Sequence, residues 1–400
     1  MGSKIWRVVG AAFVGMLGFG AVIPMLPVYL HEHAGASTFI TGLFIGLASA
    51  FALLGRLLGG KVADSRGRRT ALLVGMAFCA AAGILYLPFF GMWWMAPARI
   101  LHGLGEGFFV TAAVAWAVDI APASRRSQAL GILSSGIWGG VSVGPAIGQA
   151  LGTMSRVAVF LTASSLAVVV IMLFTTEELR PKAVVPGRWF PRQVVLPGVI
   201  LGFGNVTYAA MSGFLILLLR ERGHDSAWAF SAFAFAVLFG RFMFGGLPDR
   251  MGPRRTLLIG YVFFAVGLVT IAVSHNPAYD VPASLAIGLG YAFPWPALAT
   301  VVVNRVSASE RAAALGALTA FYDLFVAASS AIAGAVAGHF GLTSVFWLAF
   351  ASMCGAVVLT LTTNVGAGAI STLQTRTPSP SREPHSRGNA PKTAGIGGSD

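Results

Sequence analysis

Apolar residues run in long blocks along most of this chain, broken by short turns rich in Gly, Arg and Asp. Each block holds roughly 20 residues with few or no charges, enough to cross ~30 Å of hydrocarbon as an α-helix. Read in order, the blocks predict twelve membrane-spanning helices near residues 6–30, 38–60, 70–90, 92–118, 128–150, 157–175, 194–219, 227–248, 256–274, 281–303, 312–337 and 342–363. Two stretches fall outside the pattern. Residues 176–193 are polar and rich in Pro, Arg and Glu, and residues 366–400 turn to Pro, Ser, Thr, Gly and Arg, which build no core and predict a disordered tail.

The pattern also repeats. GRLLGGKVAD at 55–64 lies against GRFMFGGLPD at 240–249, and the same offset of 185 pairs Gly103 with Gly288, Gly105 with Gly290 and Arg126 with Arg311. A register held this long marks two related halves, and paired repeats are a common plan of membrane transporters. The expected organisation is a six-helix bundle over 1–175, a connecting loop over 176–193, a second six-helix bundle over 194–365, and the tail.

Composition sharpens this picture. Of 400 residues 56% are hydrophobic and only 10% charged, against about 25% charged in a soluble protein. The formal charge of +13 is topological and gives no support for a nucleic-acid partner. Of the 27 Lys and Arg residues, twenty-one fall on one set of alternate loops and the termini, three (Arg156, Arg220, Arg222) on the opposite loops, and three (Arg56, Arg99, Arg241) within spans. The positive-inside rule then predicts both termini in the cytoplasm and an even number of spans. The chain reads as an integral protein of a bacterial inner membrane, acting as a monomer. Cys79 and Cys354 lie singly within apolar spans and read as packing residues.

Two loops, GGKVADSRGRRT at 59–70 and its counterpart GGLPDRMGPRRT at 245–256, are the most distinctive strings. Together with IPMLPVYL at 23–30, RILHGLGEG at 99–107 and GGVSVGPAIG at 139–148, they resemble the major facilitator superfamily, and within it the twelve-helix drug:proton antiporter branch. The resemblance covers the chain to about residue 365. It implies an all-α fold of two pseudo-symmetric six-helix bundles that alternate access to a central cavity. It also implies a cytoplasmic gate made by Gly60, Asp64, Gly67, Arg68 and Arg69 with Asp119, and a hinge or seal at Gly144, Pro145 and Gly148. In the second half Asp249, Gly252 and Arg255 form the corresponding loop, but Asn304 stands where Asp119 would recur, so a weaker latch is expected there.

On residue chemistry alone, Asp64 is placed to cap the helix after it and to pair with arginine, while Gly60 and Gly67 permit close approach and a tight turn. Arg99, His102 and Glu106 are spaced i, i+3, i+7 and so share one helical face. Ionisable groups at membrane depth need partners or a wet cavity and are functional candidates by default. Glu106 and Asp323, each near the middle of its span, become candidates for proton coupling or substrate binding, with Arg99 expected to tune Glu106 and His102 beside it. Asn205, Tyr208, Trp138, Tyr291 and Trp295 are candidate cavity walls, each also explicable as packing. The string GLGEG lacks a preceding strand and gives no dinucleotide loop; no cofactor, metal or ATP site is expected, and the partners are a small molecule, protons and lipid. The leading expectation is proton-coupled efflux of a small amphipathic molecule. Alternatives are a uniporter or proton symporter for a sugar or organic acid, with Arg99 binding the anion, and a non-transporting receptor on a transporter fold.

Overall fold

The computed structural model describes residues 3–88, 90–122, 125–176, 191–224, 228–307, 310–363 and 365. Most of the expected connecting loop, residues 177–190, and the expected disordered tail from 366 onward lie outside the described residues.

Among the described residues all regular structure is helical. The first six helices are α1 Ser3–Val28, α2 Thr38–Arg66, α3 Arg68–Leu85, α4 Met95–Ile120, α5 Arg126–Leu151 and α6 Met154–Leu173. The rest are α7 Val195–Gly213, α8 Leu215–Glu221, α9 Ala229–Phe244, α10 Leu247–Met251, α11 Pro253–Val273, α12 Asp280–Tyr291, α13 Pro294–Val303, α14 Arg311–Phe340 and α15 Thr343–Thr362. Among the described residues eleven segments are long and apolar enough to cross a membrane, and α9 is a shorter apolar helix in the place of the twelfth.

Three of the predicted spans are interrupted. The span near 227–248 stops at Gly245 and Gly246, where two residues of low helix propensity precede the short α10. The span near 281–303 divides into α12 and α13 at Ala292–Phe293, because Pro294 lacks the N–H that would continue the ladder. The span near 194–219 divides at Phe214, between α7 and α8. Near the other end of the bundle α1 carries Pro24 and Pro27 and finishes as a π-helical turn over Tyr29–His33.

Packing repeats with the sequence. In the first half α1 lies on α5 and α6, α2 on α4, and α3 on α4 and α6; in the second half α7 lies on α14 and α15, α9 on α12, and α11 on α12 and α15. The glycines matched by the 185-residue offset sit in equivalent seams. A Cβ on Gly103 would strike the carbonyl of Ala48, and one on Gly288 the carbonyl of Phe233, two contacts separated by the same offset. Gly105 faces Gly75 O at 2.7 Å from its Cβ position, and Gly290 faces Gly260 O at 2.6 Å. Without lipid between them, helices in a bilayer associate by such close backbone approach.

The halves meet along two further seams, α2 with α14 and α5 with α9. At the end opposite the basic loops, α2 and α14 are in backbone contact: a Cβ on Gly42 or Gly46 would strike the carbonyls of Ser330 or Ala327. Towards the basic end the fit loosens, and Gly131 on α5 and Gly316 on α14 face open space. Large side chains such as Leu57, Phe242, Val262 and Val358 cover the outer surface. In contact with lipid tails they carry no hydration cost, which is the setting this composition requires.

Candidate functional site

The site is built outward from α4. Its helical period places Arg99, His102 and Glu106 on one face, and all three line a small cavity whose walls include Phe19 of α1 and Tyr208 and Ser212 of α7. The cavity volume is about 50 Å³. That holds a few waters, each needing ~10–15 Å³, and falls well short of the ~300 Å³ of a typical small-molecule pocket. In this conformation the space beside the polar groups is too small for a substrate.

Among the described residues Arg99 makes no hydrogen bond with Glu106. Its Nε donates to Phe44 O at 3.0 Å and its Nη2 to Ile45 O at 3.3 Å, both carbonyls of α2. The geometric reason is the close α2–α4 seam, which brings the α2 backbone within reach of the guanidinium. Its Nη1 lies 3.5 Å from His102 Nδ1. A guanidinium only donates, so His102 Nδ1 accepts and Nε2 carries the ring proton. Among the described residues that Nε2 is buried without a partner, so it is a donor available to whatever occupies the cavity.

Glu106 instead takes its contact from α2. Arg56 Nη2 lies 3.4 Å from Glu106 Oε1, while Arg56 Nε donates to Asp323 Oδ2 at 2.6 Å and Nη2 to Asp323 Oδ1 at 3.3 Å. One guanidinium from the first half thus holds a carboxylate of its own half and, in a fork, one of the other half. The forked arrangement is the strong geometry for an arginine–carboxylate pair. Asp323 is almost wholly enclosed and Arg56 and Glu106 are each only 17% exposed. Sequence reasoning placed Arg56 within a span without making it a site candidate. An arginine at that depth, recurring at Arg241 with the repeat, was a signal of the required kind.

The aromatic candidates divide. Tyr208 forms cavity wall. Tyr291 stands behind it, ring centroids 5.9 Å apart, and donates its hydroxyl to Asn205 Oδ1 at 2.8 Å. Trp138 lies 6.1 Å from the Tyr291 ring and carries the Arg241 guanidinium over its face at 4.7 Å. Trp295 packs partly buried against the core and does not reach the cavity.

At the basic end Arg68 bridges two acids, Asp64 at 2.5 Å and Asp119 at 2.9 Å, and is itself buried. Asp64 does not cap α3. It lies in the last turn of α2, and the capping position falls on Gly67, whose φ of 100° suits glycine. Gly60 makes no close approach either, its Cβ position being 3.9 Å from Thr111; the tight contact belongs to Gly59, which faces Phe108 Cα at 2.7 Å. Arg69 caps the end of α6, donating to Met172 O and Leu173 O at 2.9 and 3.0 Å. Arg254 repeats that role on α15 through Leu361 O at 3.1 Å. The bridging role does not repeat, because Pro253 stands in the place of Arg68 and Asn304 in that of Asp119. Among the described residues neither Asp249 nor Arg255 has an ion pair, and Gly252 supplies only the turn, with φ 85°. On α5, Gly144 and Gly148 press against Leu17 O and Ala21 O of α1 with Pro145 between them, so this stretch packs closely on α1.

A model of the Major Facilitator Superfamily matches residues 8–226 and 198–394. An MFS-type transporter of Salmonella typhimurium is 27% identical over 377 residues, spanning 89% of this chain and 96% of the relative. One of Burkholderia mallei is 26% identical over 371 residues, spanning 89% and 91%. Among solved structures, the nucleoside transporter NupG superposes with TM-score 0.77 at 12% identity over 90% of this chain and 99% of that one. A bacterial homologue of the lysosomal transporter Spinster, in an inward-facing and unoccupied conformation, gives 0.72 at 16% over 92% and 96%. The human organic anion transporter MFSD10 gives 0.69 at 17% over 90% and 100%. At such identities the superpositions establish the fold alone.

Proposed function

Because this chain belongs to the major facilitator superfamily and is an integral membrane transporter rather than an enzyme, we propose that it exports a small amphipathic molecule in exchange for protons, by rocking of its two halves. The observation that carries this reading is the Arg56 bridge to Glu106 and Asp323. Two carboxylates face one guanidinium, so a single proton brings the cluster to neutrality. Protonating Asp323 weakens the bond that crosses between the halves and leaves Arg56 to Glu106 in its own half. Proton loading and separation of the halves then become one event, which is what coupling requires.

The basic end is cytoplasmic in this reading, by the excess of Lys and Arg on its loops. The Asp64–Arg68–Asp119 cluster orders the cytoplasmic mouth of the first half, and Gly144, Pro145 and Gly148 act as seal and hinge between α1 and α5. In this reading the chain works as a monomer.

Inverted vesicles with an acid interior, reported by a quenched weak-base dye, test the proposal. Addition of a transported molecule to the wild type dequenches the dye. Glu106→Gln or Asp323→Asn is expected to abolish this while the protein remains in the membrane. Dequenching that survives both changes overturns the coupling assignment, and silence of the wild type across a broad panel turns the reading towards uptake or uniport.

A further inference from the structure

The 185-residue offset that relates the halves also relates the polar groups at their centre. It takes Arg56 to Arg241, Glu106 to Tyr291 and Asp323 to Trp138. The structure preserves the arrangement and changes the chemistry. Arg56, on α2, reaches Asp323 of the other half on α14. Arg241, on α9, reaches Trp138 of the other half on α5, with its guanidinium 4.7 Å from the ring centroid, and Tyr291 lies against that ring. Where the first arginine has two carboxylates, its counterpart has two aromatic rings.

Among the described residues no acid pairs with Arg241, and its Nε is buried with no hydrogen-bond partner. Arginine cannot shed its charge. A cation–π contact offsets only part of the cost of taking an ion out of water, so the cluster is one anion short. The rings of Trp138, Tyr291 and Tyr208 run from Arg241 to the cavity wall with centroids 6.1 and 5.9 Å apart. They suit a flat apolar body. Arg99 is the weaker anion site, since its Nε and one Nη2 N–H are held by the α2 carbonyls and its Nη1 faces His102.

We propose that Arg241 docks an acidic group of the transported molecule, which is an organic anion, a carboxylate or sulfonate, with a flat apolar body lying along Trp138 and Tyr291. This deepens the transporter reading and rests on its placing the substrate path at the centre of the bundle. Proton and substrate charge then lie beside different members of the arginine pair, Arg56 and Arg241.

The test is equilibrium binding to the full-length protein in lipid nanodiscs, at one pH and with no gradient, using three probes of one shape: indole-3-acetate, indole-3-acetamide and tryptamine. Wild type is expected to bind the acid at least about tenfold tighter than the amide, and Arg241→Gln to lose about ten- to a hundredfold of the acid's affinity, the worth of a charge-assisted contact. Arg241→Lys should keep part of it. Thermal unfolding without ligand supplies a second readout. Arg241→Gln removes an unpaired charge and should melt no lower than wild type, whereas Arg56→Gln strands two acids and should melt lower. Equal binding of acid and amide, no binding of the acid, preference for tryptamine, or full acid affinity in Arg241→Gln each overturn the proposal. So does melting of Arg241→Gln as low as Arg56→Gln, or chloride alone protecting the wild type as well as the acid does. With no gradient present, binding through Arg241 stands even if the vesicle assay shows no proton exchange, and loss of either result leaves the other intact.

Discussion

One guanidinium shared by two carboxylates at the crossing of α2, α4 and α14 is the most consequential contact in the molecule. Breaking a buried ion pair from one side costs ~3–5 kcal/mol, because the remaining charge has lost its partner. Arg56→Gln should therefore lower stability on that scale, reduced by the partial exposure of Arg56 and Glu106 (17% each), while Arg56→Gln with Asp323→Asn recovers part of the loss. Chemical denaturation in detergent measures both; a double variant whose loss equals the sum of the two single losses would show that the two side chains do not act as a pair. The candidates Glu106 and Asp323 were legible as acids at membrane depth. Their common partner was not, because Arg56 and Asp323 are 267 positions apart. Helical spacing put Arg99 on the right face but could not show that the α2 carbonyls would take its donors.

At the scale of elements, two glycine seams should respond differently to the same change. A side chain at Gly148 would collide with Ala21 of α1, within one half, where separation of the two halves gives no relief. One at Gly46 would collide with Ala327 of α14, across the halves, only while that end is closed. Gly148→Val is therefore expected to reduce the yield of folded protein and its melting temperature, as overpacking costs ~1–3 kcal/mol. Gly46→Val should leave the yield close to wild type and bias the bundle towards opening at the end away from the basic loops. Labelling of Ser212→Cys, on the cavity wall, by an impermeant maleimide reads the bias: a faster rate in the Gly46→Val background is expected, and an unchanged rate with lost yield would make α2–α14 a fixed interface. The helices themselves follow from apolar block length. Their interruptions at Gly245–Gly246 and before Pro294 were signalled by those residues, yet a span count by hydrophobicity passes over them.

For the whole molecule, the end away from the basic loops is shut by the α2–α14 contact and, among the described residues, by one ion pair between halves. Arg220 on α8 donates to both oxygens of Glu32, beyond α1, at 3.1 and 3.0 Å. Both side chains are about two-fifths exposed, so water screens the pair and its worth falls to ~0.2–1 kcal/mol at most. Removing it with Glu32→Gln should shift the balance of open and closed forms by less than about fivefold. Distances between spin labels on the two halves measure this, and salt should reproduce the effect in the wild type. A shift beyond tenfold would show that this pair, rather than the glycine seam, closes the end.

The sequence by itself determined the class of molecule, the order of its helices and their internal repeat. Those properties depend on block length, the placing of Lys and Arg, and a register that recurs along one dimension. It also singled out Asp64, Arg68 and Asp119 as partners, because two of them are neighbours in the chain and the third ends the next helix but one. Tertiary structure alone decided which charges meet. Only packing of α2 on α4 and α14 gives Arg56 two acids and Arg99 two carbonyls, and only packing of α9 on α5 leaves Arg241 against a ring. The physical reason is that a charge inside a membrane is governed by whatever lies within a few ångströms of it, and those neighbours come from distant parts of the chain.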